Sequence, residues 1–148
     1  MHFFEREDAS LVWKNDGETL KITPWGKNSF RVQSAMMREP EDTNFALLPS
    51  QETGTPVIEM EETSASIRNG TLVASVTQDS WRNYAQITFS NQRGEVLLRE
   101  TSCGGALALK ARHFKPLLGG DHSLTVTFEA NENERLYGMG QYQQEILD

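Results

Sequence analysis

Cysteine is almost missing from this chain, with Cys103 the single one in 148 residues. No intrachain disulfide can form, and a thiol-rich metal site is excluded. Histidine is nearly as sparse. His2, His113 and His122 lie far apart, none at an i, i+4 spacing with a partner, so no metal centre is expected. Apolar runs fall well short of the roughly 20 residues that a membrane helix needs. The opening MHFFEREDAS has no basic n-region, and its apolar stretch is too short for a signal peptide. The expectation is therefore a cytoplasmic protein with no membrane segment. Lys and Arg number 14 against 21 acids, a formal net charge of -7, and they are scattered along the chain. A phosphate-binding surface needs them clustered, so nucleic acid is not an expected partner. Helical spacing is also absent, for apolar positions nowhere keep it over ten residues.

What the chain has instead is period-two alternation. Leu124, Val126 and Phe128 point one way while Ser123, Thr125 and Thr127 point the other. Ala85, Ile87 and Phe89 alternate with Gln86, Thr88 and Ser90, and Leu72, Ala74 and Val76 share a face within Thr71–Thr77. Shorter versions are Leu20 with Ile22, Phe30 with Val32, and Ala65 with Ile67. Half-buried antiparallel strands read this way. Asp16-Gly17 and Asn69-Gly70 supply the positive-φ residues of tight hairpins, and Gly94 closes a longer hairpin into Glu95–Arg99. About nine or ten strands at a spacing of roughly 8–12 residues predict an all-β protein, an antiparallel β-sandwich or barrel. Two segments interrupt the pattern. Arg38–Pro56, with three prolines and many acids and amides, reads as a long surface loop of the kind that carries function. Lys115–His122 reads as a turn before the last clean strand.

Candidate chemistry is thin. Gly138-Met139-Gly140 starts like a dinucleotide fingerprint, but Gln143 stands where the third glycine would fall, and no strand-to-helix unit surrounds it. No cofactor is expected. Cys103, beside Gly104 and Gly105, reads as a small half-buried residue rather than a nucleophile, because no matching His/Asn signature lies near it. His122 beside Asp121 reads as a turn residue before it reads as a base. Glu59, Glu61 and Glu62 form one solvated edge, and Glu129, Glu132 and Glu134 another. No pair of carboxylates stands out for glycosidic work, which needs two held about 5–10 Å apart. Among the aromatics, Trp81 in the polar stretch before Tyr84 is the one candidate for stacking on a sugar; Trp13, Trp25 and Tyr84 read as core or edge packing.

The ending carries more information. Phe128-Glu129-Ala130 followed by Glu134-Arg135-Leu136-Tyr137-Gly138-Met139-Gly140-Gln141 resembles the junction motif of family 31 glycoside hydrolases, where a last strand runs into "E-R-hydrophobic-Tyr-Gly-hydrophobic-Gly-Glu/Gln". Upstream, Leu20–Thr23 through Phe30–Gln33 is similar to the family's early strand pair. Ile67–Leu72 is similar to its strand-turn-strand, and Asn91–Glu100 to its "N-x-x-G-x-x-L-x-x-E" hairpin. The resemblance implies a galactose mutarotase-like N-terminal sandwich, residues 1–133, and a junction segment, 134–148, leading to a (β/α)8 barrel that lies outside this sequence. It also implies that the barrel holds the aspartates of a retaining α-glycosidase, so no catalytic residue is carried over to this chain. Glu134, Arg135, Tyr137, Gly138 and Gly140 match the junction motif. Gln141, where many α-glucosidases have Glu, looks more like α-xylosidase-type members.

Gln141, Tyr142, Gln143 and Trp81 are the candidates for the rim of the substrate pocket, the amides being suited to sugar hydroxyls. The expected partners are the chain's own catalytic barrel and, through it, a carbohydrate substrate, with self-association through the apolar surface a missing barrel would leave bare. Two other readings stay open from residues alone: a free-standing carbohydrate-binding module, and an interaction sandwich unrelated to sugars.

Overall fold

Short turns build the fold out of neighbouring hairpins. The computed structural model describes residues 3–43, 47–49, 54–79, 83–104, 108–130 and 135, and among them there are eleven strands and no helix. β1 (Phe4–Glu7), β2 (Ser10–Asn15), β3 (Glu18–Pro24) and β4 (Phe30–Met36) form one antiparallel meander. β5 (Val57–Met60), β6 (Ser64–Asn69), β7 (Leu72–Asp79), β8 (Tyr84–Asn91) and β9 (Val96–Arg99) form a second. β10 (Arg112–Pro116) and β11 (His122–Val126) make a separate hairpin.

The count exceeds nine or ten because β1, β5 and β10 do not alternate in the usual way. FERE buries only Phe4, VIEM is short and mostly exposed, and RHFKP is built of charged and ring residues. The 115–122 stretch is likewise more than a turn. Lys115 and Pro116 pair with Ser123 and His122, which confines the turn to residues 117–121.

Two of the expected turns separate on inspection. Asp16 and Gly17 both have positive φ, 51° and 80°, between the paired Asn15 and Glu18, as a two-residue I′ hairpin requires. At the second turn Asn69 is instead the last paired residue, opposite Leu72, and the loop is Gly70-Thr71 with only Gly70 at positive φ. Asn69 is released for other work. Its Nδ2 donates to the carbonyls of Gly26 (2.9 Å) and Ser29 (2.8 Å), while the Thr71 N–H donates to Asn28 Oδ1 at 2.7 Å. The β6–β7 turn is thereby pinned to the β3–β4 turn of the other sheet. A Cβ on Gly70 would run into Asn28 Oδ1, so both the φ of 60° and the close approach demand glycine.

The alternating apolar residues meet between the two larger sheets. Leu11, Trp13, Leu20 and Ile22 pack from one side against Ala65, Ile67, Ala74, Val76, Ala85 and Ile87 from the other. This is sandwich packing, and each fully buried aliphatic side chain here is worth roughly 1.5–3 kcal/mol. Trp13 is buried whole, and its Nε1–H donates to Gln78 Oε1 at 2.8 Å across the core, so the indole carries no unmet donor.

The β10–β11 hairpin is fixed by charge. Arg112 is buried and donates from Nε to Glu18 Oε1 on β3 (2.6 Å), from Nη1 to Glu100 Oε2, and from Nη2 to the Ala85 carbonyl on β8 (2.8 Å). Glu18 Oε1 also accepts from the Ser34 hydroxyl at 2.7 Å, and Glu100 Oε2 accepts the Ile87 N–H at 2.9 Å. One guanidinium thus joins all three sheets. Two carboxylates on one cation leave the cluster one negative charge in excess. Burial pushes the Glu100 carboxyl above its ordinary 4.5; Arg112 and the Ile87 N–H pull it down, and the Glu18 charge pushes it further up.

Two outcomes follow from this cluster. Arg112→Met should cost about 3–5 kcal/mol in a urea titration, because it strands two buried carboxylates; adding Glu18→Gln and Glu100→Gln should recover much of that loss. A carboxyl whose folded pKa is raised stabilises most below its unfolded value, and that contribution fades as pH rises through the folded pKa. The stability of the wild type relative to Glu100→Gln should therefore be greatest below pH 4.5 and decline as pH rises above it, as paired urea titrations will read.

Candidate functional site

A pair of acids beside an arginine is the first place to look for carboxylate chemistry, and the fold does bring Glu18 and Glu100 together on Arg112. The pair cannot act on a substrate. Both side chains are sealed, at 4% and 3% exposure, and their oxygens are bonded to Arg112, Ser34 and the Ile87 N–H. A glycosidic oxygen has no route to them. Among the described residues no group of three or more His, Cys, Asp or Glu is placed to hold a metal ion.

The other sequence candidates are dispersed. His122 opens β11 and meets Phe114 edge-on, with ring centroids 6.2 Å apart, while Asp121 turns to Arg38 at 3.8 Å. No Asp-His pair forms there. Cys103 is exposed, against the half-buried position expected of it, because it lies in a short bridge to Leu109 beyond the sheet; its Sγ accepts from the Thr127 hydroxyl at 3.9 Å. Glu59, Glu61 and Glu62 are exposed as expected. Trp13 and Tyr84 are buried in the core. Arg135 is exposed; Trp81, Glu134, Tyr137, Gly138, Gly140, Gln141, Tyr142 and Gln143 lie outside the described residues.

Where the sequence predicts a long loop between β4 and β5, the described residues 37–43, 47–49 and 54–56 form no strand or helix and are held at several points. Met37 N–H donates to the Gly17 carbonyl at 2.6 Å, and Glu39 meets Lys14 at 3.0 Å, where Lys14 also holds Glu5 at 2.8 Å. Hydrogen bonds from these two carboxylates raise the Lys14 ammonium well above its ordinary value. Gln33 Nε2 donates to the Glu41 carbonyl at 2.8 Å. Arg31 donates from Nη1 to Asp42 Oδ1 and from Nη2 to the Thr43 carbonyl, each at 2.7 Å. The same guanidinium lies over the Trp25 ring, 5.1 Å from its centroid, and Trp25 Nε1 donates to the Leu48 carbonyl at 3.2 Å. Sequence reading assigned Trp25 to core or edge packing and noted Arg31 only as part of the Phe30–Gln33 strand that resembles the family's, with no contact assigned to it. The sparse signal was a Trp and an Arg flanking one turn, which becomes meaningful only when the loop folds back over them.

Elsewhere the outer face of the second sheet carries a cleft of about 490 Å3 lined by Val57, Glu59, Ser66, Arg68, Val73 and Gln92. None of these is aromatic, so the cleft offers no ring on which a pyranose could stack. Trp13 and Tyr84 are buried and Trp25 is covered by Arg31, so none of these three rings offers an open face for stacking.

A large apolar surface is open instead. Cross-strand partners share a face, so Val126, opposite Arg112, faces inward, and Leu124 and Phe128 follow it at two-residue steps. This is the face the alternation predicts. The three are nevertheless 39%, 37% and 40% exposed, because no described residue covers that end of the sandwich. Leu97, the extra residue of a bulge in β9, is 59% exposed.

No family model matches the chain. An uncharacterized family 31 glucosidase of Pseudescherichia vulneris is 38% identical over 156 residues, an alignment covering 94% of this chain and 28% of that protein. The crystal structure of a GH31 α-xylosidase from a soil metagenome, complexed with xylose, superposes with a TM-score of 0.83 at 36% identity, over 98% of this chain and 23% of the other. The chain thus spans about a quarter of the length of the relatives it matches. The strand pattern agrees with both matches: along nearly its whole length this all-β chain is similar to about a quarter of a family 31 glycoside hydrolase.

Proposed function

We propose that the chain is the noncatalytic N-terminal β-sandwich of a family 31 α-glycosidase, with residues 1–133 as the sandwich and 134–148 as the junction to the catalytic barrel. The enzyme that contains it cleaves α-glycosidic bonds by a retaining mechanism, with its nucleophile and acid/base aspartates in the barrel. The observation that carries this reading is the full-length superposition on about a quarter of an α-xylosidase. The sealed state of the carboxylate pair supports the noncatalytic role. Resemblance of Gly138-Met139-Gly140-Gln141 to α-xylosidase-type members, together with the xylose-bound neighbour, favours an α-xyloside over an α-glucoside as substrate.

In this reading the sandwich supports the barrel with the apolar stripe of Leu124, Val126 and Phe128 on the strand that leads to the junction. Gln141, Tyr142, Gln143 and Trp81 are assigned to the pocket rim, and the described base of the 37–56 loop borders the same pocket. The amides accept from and donate to sugar hydroxyls there.

The 148 residues alone should release no p-nitrophenol from p-nitrophenyl α-xyloside or α-glucoside, whereas the enzyme containing them should release it from one or both; turnover by the isolated chain would remove the noncatalytic assignment. Without a barrel the stripe should also drive the chain to pair with itself. Sedimentation velocity should show a concentration-dependent dimer that Leu124→Ser combined with Phe128→Ser converts to monomer. A wild-type mass that stays monomeric at every concentration would count against the stripe as a docking face.

A further inference from the structure

We propose that Arg31, seated on Trp25, is the positioning residue of the 37–56 loop and presents it to the rest of the enzyme as a preformed arm. The inference rests on the reading that this arm borders the substrate pocket. Arg31 differs from the other tethers in kind. Its side chain is 10% exposed while that of Asp42 is 94% exposed, so the arginine belongs to the sheet and the aspartate to the arm. Lys14 with Glu39 and Arg38 with Asp121 are pairs exposed at both ends, which hold little in water.

The Arg31 fork brackets two consecutive residues, the Asp42 carboxylate and the Thr43 backbone carbonyl, and a planar guanidinium can do this without losing its stack on an indole. Trp25 then uses its other polar handle on the Leu48 carbonyl. A single stacked pair therefore grips the arm on both sides of residues 44–46. Two of the three bonds end on backbone carbonyls, so the grip depends on Arg31 and Trp25 and hardly on which side chains the arm carries. Lysine would keep the charge at position 31 and lose the fork.

Hydrogen exchange on the 148-residue chain tests the grip. In Arg31→Ala and in Arg31→Lys, amides of residues 38, 39, 41–43, 47 and 48 should exchange about tenfold faster or more, with β6–β8 unchanged. Unchanged exchange in the arm overturns the proposal. Trp25→Phe keeps a stacking face and deletes only the Nε1 donor. It should speed exchange at 47 and 48 while 42 and 43 keep their wild-type rates, and no acceleration there overturns the grip even if Arg31→Ala fails to fold. In the enzyme containing this chain, Arg31→Ala should raise KM for a p-nitrophenyl α-glycoside about fivefold or more, with kcat within about twofold. Faster arm exchange with an unchanged KM would uphold Arg31 as the positioning residue and overturn the placement of the arm at the pocket.

Discussion

Arg112 is the interaction on which the rest of the structure depends. From β10 its guanidinium reaches β3 through Glu18, the residue following β9 through Glu100, and β8 through the Ala85 carbonyl, so three sheets converge on one side chain. Placing these charges in the interior carries a large desolvation cost, and a well-packed apolar trio would give equal or greater stability. What the cluster adds is registration. Apolar sheets can slide against each other by a residue pair with modest loss, whereas a buried fork with two carboxylates and a carbonyl has one satisfied arrangement. The Trp13–Gln78 bond and the Asn69 clamp act alike at other points of the same interface.

This placement also decides how the domain can serve an enzyme. The acids that come nearest to a catalytic pair are consumed by the fold. The polar groups left at the surface are tethers, concentrated where the long loop lies over Trp25 and Arg31. Among the described residues, Leu124, Val126 and Phe128 share one apolar face and are each more than a third exposed.

Much of this was legible in the residues. Alternation located the strands that bury one face and expose the other, and the Asp16-Gly17 hairpin follows from the two positive φ values those residues accept. Legibility failed where the physical cause lay elsewhere in the chain. β1, β5 and β10 are strands because a neighbour offers a ladder, not because FERE, VIEM or RHFKP alternate. Asn69-Gly70 has the look of a two-residue turn, yet the pairing moves one residue on, because the Asn69 amide is held by carbonyls 40 and 43 positions away. Leu124, Val126 and Phe128 share the face their spacing implies, but spacing cannot say whether anything covers it.

By itself the sequence determined what depends on near neighbours: most of the strand content, the Asp16-Gly17 turn, the absence of a thiol metal site, and a junction segment that resembles that of family 31. Tertiary structure alone decided that Glu18 and Arg112, 94 residues apart, share a buried bond, and that Arg31 and Trp25 grip a loop beginning several residues later. The reason is physical. Backbone preference and side-chain alternation act over a few residues and leave a pattern in the chain. A buried ion pair or a loop tether gains its energy only after folding has removed water and brought distant groups together, so no local pattern records it.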